Sequence, residues 1–418
     1  NWLSLRLNGA LYGHKPPLLF WLINLGWGIF GVNTWWPRLL TGLAGLGALW
    51  LLDRLARLLA PGRDDLRAMA LLVTASSLYW MVFTGAVMFD LMLAFFVLLG
   101  ALGIARAGSG AGMRAWLLTG VALGLGILTK GPVAALHLLP LALLGPWWLR
   151  AAESTASPRR WGPWYAGVGV AVLVGAAIAL AWAIPTALAG GGEFGREIFW
   201  SQSVDRMVST DHHRRPFWFY VAMAPVLVLP WLFLPIVWRG FAALARSGPS
   251  PTVRFAAAWL APVAIGFSLF KGKQIQYLLP EVPAIALLAA AGLSALKTET
   301  RRWEPLAVAL VFTALAVALA WLSFQPRLAH LVQPADRPWV WLSAAVLAAA
   351  AAVVAMAPLR DRVATVTAIA AAGVAVVVGG FAGVGRAAFD GYDIAPVSHY
   401  LAQAQQQGRP IAHFANSH

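Results

Sequence analysis

A chain of 418 residues that is 60% hydrophobic and only 11% charged has too few polar groups to cover a water-soluble protein of that size, where about a quarter of residues carry charge. Most of its side chains must face lipid. The net charge of +15 does not indicate nucleic acid, because the bases form no run of five and gather in no polar domain. Cysteine is absent, which removes disulfides, thiolate metal sites and a cysteine nucleophile from consideration.

The opening segment, 1–15, carries Arg6, Asn8, Tyr12, His14 and Lys15 and runs into Pro16-Pro17. The proline pair predicts a helix start whose amino end holds Lys15 and His14 at the membrane surface, where helix termini already favour anions such as a lipid phosphate. The plainer reading is a snorkelling lysine within an interfacial belt of Trp and Tyr. Residues 16–32 are apolar but short and interrupted by Gly26, Gly28 and Gly31, which predicts an interfacial or re-entrant helix on the outer face.

Apolar stretches long enough for about 30 Å of hydrocarbon then recur. They lie at 36–53, 67–84, 90–106, 115–128, 132–149, 164–189, 217–238, 254–270, 277–296, 305–323, 338–358 and 363–384, predicting about twelve transmembrane helices. Loops rich in Lys and Arg stay in the cytoplasm. The connections 53–67, 106–114, 150–160, 239–254, 297–304 and 359–362 hold 17 of the 31 bases in 63 residues, against 14 in the 111 residues of the other set, so the first set is cytoplasmic.

This orientation puts the unusual residues at the outer ends of helices, where ionisable groups mark a site or pathway. Asp90, in Gly85-Ala-Val-Met-Phe-Asp90, is the only carboxylate of a short outer turn; an ordinary amino-terminal cap is its plainer reading. Lys130 sits in a three-residue connection, 129–131, between two apolar helices, where snorkelling is the alternative to a cavity. The outer loop 190–216 holds Arg206, His212 and His213. Lys271, Lys273 and Tyr277 follow, and then Glu281, whose plain role is to favour the start of its helix.

Four of these motifs, in order, resemble the bacterial polyprenyl-phosphate-dependent glycosyltransferases of the protein mannosyltransferase and lipid A aminoarabinose transferase-like group, a GT-C family. Arg6-Leu-Asn8-Gly with Tyr12, Lys15-Pro-Pro-Leu and Trp21 is similar to the family's first outer loop. Leu128-Thr-Lys130-Gly-Pro132 resembles its Thr-Lys-Gly-Pro turn. Arg206, His213, Pro216-Phe-Trp-Phe-Tyr220 and Pro230-Trp231 resemble its long outer loop and following helix, and Ser268, Lys271, Lys273 and Tyr277-Leu-Leu-Pro280 its Ser-x-x-Lys, Lys-x-x-x-Tyr-x-Leu-Pro segment.

The resemblance implies an all-α polytopic GT-C bundle that transfers a sugar from undecaprenyl phosphate to a lipid, such as lipid A, or a protein on the periplasmic face of the bacterial inner membrane. Membrane lipids surround such an enzyme, and nucleic acid is no partner. Because the leaving group is a phosphate, the site needs fixed positive charge where negative charge develops. The resemblance assigns the carrier phosphate to Lys15, Arg206 and Tyr277, with Lys130, Lys271 and Lys273 as further donor-binding residues and Arg6, Tyr12, His14 and His213 as substrate contacts. Asp90 corresponds to a supporting acid of the family. The principal carboxylate is expected upstream of Asn1, in a chain that reads as missing the first helix and part of the first outer loop.

Two departures stand out. His14 replaces the glutamate that many members carry before Lys-Pro-Pro, and Gln202-Ser203 replaces a Glu-His pair of the lipid A enzymes. That glutamate and histidine hold a divalent ion in some members, so no cofactor is required here, and His14 remains a weak metal candidate. A lipid or polysaccharide flippase, which would show paired broken helices and charges near the bilayer centre, and an O-antigen ligase or polymerase are the alternatives. The expected organisation is 1–35 as the remainder of the first outer loop with its interfacial helix, 36–384 as the bundle with the outer loop 190–216, and 385–418 as the start of a periplasmic segment.

Overall fold

The computed structural model describes residues 3, 5–7, 10–13, 15–149, 160–191, 214–325, 336–357, 360–385 and 395–409. Apart from two two-residue strands, β1 (Arg6–Leu7) and β2 (Ala10–Leu11), paired antiparallel, the described elements are helices. In chain order these are α1 (Leu18–Phe30), α2 (Trp35–Leu59), α3 (Asp64–Ser76), α4 (Leu78–Gly85), α5 (Phe89–Gly108), α6 (Met113–Lys130), α7 (Val133–Leu143), α8 (Gly145–Leu149) and α9 (Trp161–Gly190). After them come α10 (Phe219–Leu227), α11 (Pro235–Ser247), α12 (Pro251–Leu269), a 3-10 turn (Ile275–Glu281), α13 (Val282–Ala295), α14 (Glu304–Leu322), α15 (Arg337–Met356), α16 (Arg362–Gly380) and α17 (Ala395–Gln406).

Among the described residues, eight helical segments are long and apolar enough to cross a membrane, and α3 with α4, bent by 57°, makes a ninth when counted as one span. The chain is a multi-pass membrane protein. Of the other three expected spans, 115–128 lies within α6, one unbroken helix of 18 residues, and two are broken: the pair α7 and α8, and the stretch from α10 to α11. Pro225 and Pro230 interrupt that last stretch, since proline lacks the N–H that would continue the ladder. The bend between α3 and α4 follows three hydroxyls, Thr74, Ser76 and Ser77, which each donate to the carbonyl four residues back, a bonding pattern that bends helices.

The chain divides into two compact units, Asn1–Val308 with Ala357–Val374, and Ala309–Met356 with Ala375–His418. In the first, α5 is the central helix, packed against α2, α6, α7 and the 3-10 turn. Glycines set the close approach of α6 to α9: a Cβ at Gly124 would lie 2.7 Å from Ile178 Cβ, and one at Gly167 would lie 2.1 Å from the Trp116 ring. In lipid, where no hydrophobic effect draws helices together, such small-residue contacts supply the packing. In the second unit, Ser343 donates to Gly379 O at 2.8 Å and accepts from Val384 N–H at 3.1 Å, and Trp341 Nε1 donates to Ser323 Oγ at 2.9 Å.

One end of the first unit is a polar clasp. Arg67 bridges Asp53 and Asp64 at 3.1 and 2.8 Å, Ser294 donates to Asp65 at 2.6 Å, Arg239 grips both oxygens of the buried Glu304 at 2.8 Å, and Arg362 donates to Leu293 O at 2.7 Å. These residues come from the connections 53–67, 239–254, 297–304 and 359–362 or their edges, so four of the six base-rich connections assigned to one side by sequence do meet. α1 packs Leu19 and Ile23 against Met92 and Phe96 of α5. Trp36 of α2 donates to Leu22 O at 3.0 Å and lies over Gly26, where a Cβ would stand 1.9 Å from its ring.

Candidate functional site

At the other end of the same helices a cavity of about 340 Å³ opens, and its charged groups, Lys15, Asp90 and Lys130, are delivered at helix termini. Pro17 precedes the first residue of α1, as the proline pair predicts, and places Lys15 on the cavity wall with its Nζ 5.6 Å from the centre of the Phe89 ring. Tyr12 reaches the same corner indirectly, through an edge contact to Phe20 at 6.2 Å, while Phe20 meets Phe89 at 5.6 Å.

Asp90 lies in the first turn of α5 and is 2% exposed. It is not the cap: that position belongs to Met88, and no side chain caps the helix. Its carboxylate instead takes a hydrogen bond from the ammonium of Lys130 in a buried ion pair. Lys130 is the last residue of α6. The helix stops there because Gly131 adopts φ +88, a conformation costly for any residue with a Cβ, and Pro132 then opens α7. The reversal turns Lys130 inward, with Nζ also 4.8 Å from the centre of the Tyr277 ring, so it does not snorkel.

The third wall is the segment from α12 to the 3-10 turn, and the backbone holds it firmly. Arg214 and Gly272 form an antiparallel bridge, and Arg215 N–H donates to Lys271 O at 3.3 Å. Tyr220 Oη donates to Gln274 O at 3.2 Å, and Lys273 donates to Arg215 O at 3.0 Å and to Phe270 O. Lys273 is thus a buried strut of the loop, and burial lowers its ammonium pKa from the usual value. Lys271 is exposed and does not line the cavity. Ser268 donates to Ala264 O within its own helix at 2.7 Å. Gln274, Gln276 and Tyr277 line the cavity.

The deep wall holds His137, which the sequence reading did not single out, and behind it Glu281, a weaker candidate of that reading. His137 Nδ1 lies 2.7 Å from Glu281 Oε1, with the two side chains 1% and 0% exposed. His137 Nε2 and Glu281 Oε2 are buried without a hydrogen-bond partner, and the imidazole packs 5.5 Å from Phe267, which in turn lies 5.6 Å from Tyr277.

The structure therefore gathers Lys15, Asp90, Lys130 and Tyr277 into one cavity, gives Lys271 and Lys273 other places, and adds His137, Gln274 and Gln276. Arg6 lies in β1, its side chain outside the described residues. His14, Arg206, His212 and His213 also lie outside them. Among the described residues no group of three or more His, Asp or Glu side chains is arranged to hold a metal ion.

Comparison with known proteins agrees with this architecture. Residues 14–184 match the family model described as dolichyl-phosphate-mannose-protein mannosyltransferase. The undecaprenyl phosphate-alpha-4-amino-4-deoxy-L-arabinose arabinosyl transferase of Pseudomonas aeruginosa (strain UCBPP-PA14) is 31% identical over 294 residues, 69% of this chain and 51% of that protein. Its counterpart in Pectobacterium carotovorum is 27% identical over 357 residues, 80% of this chain and 60% of that protein. The chain thus spans roughly half to three fifths of these curated relatives. The crystal structure of ArnT from Cupriavidus metallidurans bound to undecaprenyl phosphate superposes with a TM-score of 0.72 at 25% identity, covering 95% of this chain and 72% of that one. With the motifs, the helical bundle and these likenesses in agreement, the chain belongs to the GT-C family of polyprenyl-phosphate-dependent glycosyltransferases.

Proposed function

We propose that this protein transfers a sugar from an undecaprenyl-phosphate donor to a lipid or protein acceptor on the periplasmic face of a bacterial inner membrane. The observation that carries the reading is the cavity flanked by Lys15 and Lys130 at the helix ends opposite the arginine clasp. Fixed ammonium groups in a site of low dielectric stabilise the phosphate that departs, without reorganising as charge develops. Soluble nucleotide sugars are confined to the cytoplasm, so a site on the outer face needs a donor that crosses as a lipid. The named relatives, and the solved ArnT bound to undecaprenyl phosphate, support that donor class.

In the reaction the acceptor hydroxyl oxygen bonds to the anomeric carbon as the bond from that carbon to the phosphate oxygen breaks. A single in-line displacement inverts the anomeric centre. The carrier leaves as undecaprenyl phosphate, and the hydroxyl proton passes to a base. Asp90, neutralised by Lys130, is suited to orient the lysine and substrate in a supporting role. Arg206 joins Lys15 and Tyr277 around the phosphate in this reading.

The test is sugar transfer by the purified protein in lipid, supplied with radiolabelled undecaprenyl-phosphate sugars and with total lipid or protein acceptors. Lys15→Ala and Tyr277→Phe are expected to suppress transfer, Lys15→Ala by about 100-fold, the scale of losing one group that stabilises transition-state charge. Transfer at the wild-type rate in both variants would refute the site. Lipid movement across proteoliposomes with no sugar transfer from any donor would refute the activity.

A further inference from the structure

His137 takes no part in the chemistry described so far, yet it lines the cavity. Val133, which also lines it, is four residues earlier in α7, and residues so spaced share one helix face. Cα–Cβ bonds in a helix tilt toward its amino end, so the His137 side chain leans toward the start of α7, beside the turn that ends at Gly131. That start has no side-chain cap and no acidic residue in its first turn. The positive end of the α7 dipole, at Pro132 and Val133 on the cavity wall, is therefore not neutralised from within the helix.

Glu281 decides what the other ring nitrogen presents. Its carboxyl group meets His137 Nδ1 at 2.7 Å, with both side chains buried. A buried pair of this kind costs least when it carries no net charge. Two arrangements satisfy that condition: an imidazolium against a carboxylate, or a neutral imidazole whose Nδ1 accepts from a protonated carboxyl. Both put a hydrogen on Nε2. Nε2 is then a buried N–H donor, and among the described residues nothing accepts from it. A phosphate oxygen suits this corner, because it accepts without donating and is anionic, as the start of a helix favours. Nε2 itself is buried, so the wall must shift slightly to admit the oxygen.

We propose that His137 Nε2 and the start of α7 bind a phosphate oxygen at the deep wall of the cavity, that of the undecaprenyl-phosphate carrier. His137 thereby joins Lys15 and Tyr277 as a phosphate-binding residue of this chain. The proposal rests on the donor reading above and adds a residue which that reading does not use.

The experiment is equilibrium binding to the protein in phosphatidylcholine nanodiscs of three probes: undecaprenyl phosphate, undecaprenol and inorganic phosphate. The variant is His137→Phe with Glu281→Met, which roughly keeps the shapes and strands no charge in the bundle. It is expected to bind undecaprenyl phosphate about tenfold more weakly than wild type, the scale of one hydrogen bond to a charged group, with undecaprenol binding unchanged. NMR of wild type with isotope-labelled histidine rings needs no double variant. Undecaprenyl phosphate should move the signal that is missing from His137→Gln, and undecaprenol should not. Wild-type affinity of the double variant for undecaprenyl phosphate, equal weakening for undecaprenol, or a His137 signal indifferent to the phosphate overturns the contact and leaves the donor reading standing. A His137 dependence confined to inorganic phosphate overturns the assignment to the carrier. Failure of wild type to bind undecaprenyl phosphate more tightly than undecaprenol overturns the donor reading, and the contact with it.

Discussion

Asp90 and Lys130, 40 positions apart in sequence, form a buried ion pair whose members need each other. Taking one charge away strands the other in the bundle, which typically costs about 3–5 kcal/mol. Asp90→Asn should lower thermal stability in detergent accordingly, and Asp90→Asn with Lys130→Met should restore most of the stability but not sugar transfer. A double variant as unstable as the single one would show that the pair is not an electrostatic unit. The sequence left a helix cap open as the plainer reading of Asp90 beside its supporting role, because spacing cannot distinguish a cap from the residue two positions on. Lys15, Asp90, Lys130 and Tyr277 were legible because each is a polar group at the end of an apolar run. His137 was not: a lone histidine inside Val133–Leu143 reads as core, and its partner Glu281 lies 144 residues away. Nor were Gln274 and Gln276, whose place on the cavity wall depends on an extended backbone fixed by residues near 215 and 220.

The turn Thr129-Lys130-Gly131-Pro132 shows how an element boundary makes a site. Gly131→Ala forces a Cβ into the left-handed region, at a cost of about 1–2 kcal/mol. It should therefore lower transfer more than stability, because the strain falls on the backbone that aims Lys130; loss of stability with an unchanged rate would contradict this. The His137–Glu281 pair ties α7 to the start of α13. Glu281→Ala leaves the imidazole without its partner and should cost about 1–3 kcal/mol, read by thermal unfolding, with Glu281→Gln nearer to wild type. The long apolar spans were visible from hydropathy. The bend after Ser76 was not, because it follows from hydroxyl back-bonding that periodicity does not reveal. Pro225 and Pro230 were in plain view within 217–238, yet an apolar count joined across them.

At the scale of the molecule, the two ends of the first unit differ in charge chemistry. One carries an arginine clasp satisfied by Asp53, Asp64, Asp65 and Glu304, the other a cavity with ammonium groups on its wall. The absence of cysteine makes the orientation directly measurable. Lys271→Cys should react with an impermeant maleimide added to intact spheroplasts, and Arg246→Cys only after permeabilisation, because base-rich loops remain cytoplasmic. The reverse labelling pattern would invert the topology and remove the outer-face argument.

The most direct test of the account is the affinity of the protein in nanodiscs for undecaprenyl phosphate, compared between wild type, Lys15→Ala, Tyr277→Phe and Arg57→Ala at the distant clasp. The account predicts saturable binding that weakens by about tenfold or more when a charge-assisted contact at the cavity is lost and is unchanged in Arg57→Ala, since Arg57 pairs with Asp53 of the clasp at 2.9 Å. Binding that is indifferent to Lys15 and Tyr277, or equally sensitive to Arg57, would contradict the assignment of this cavity to the carrier phosphate.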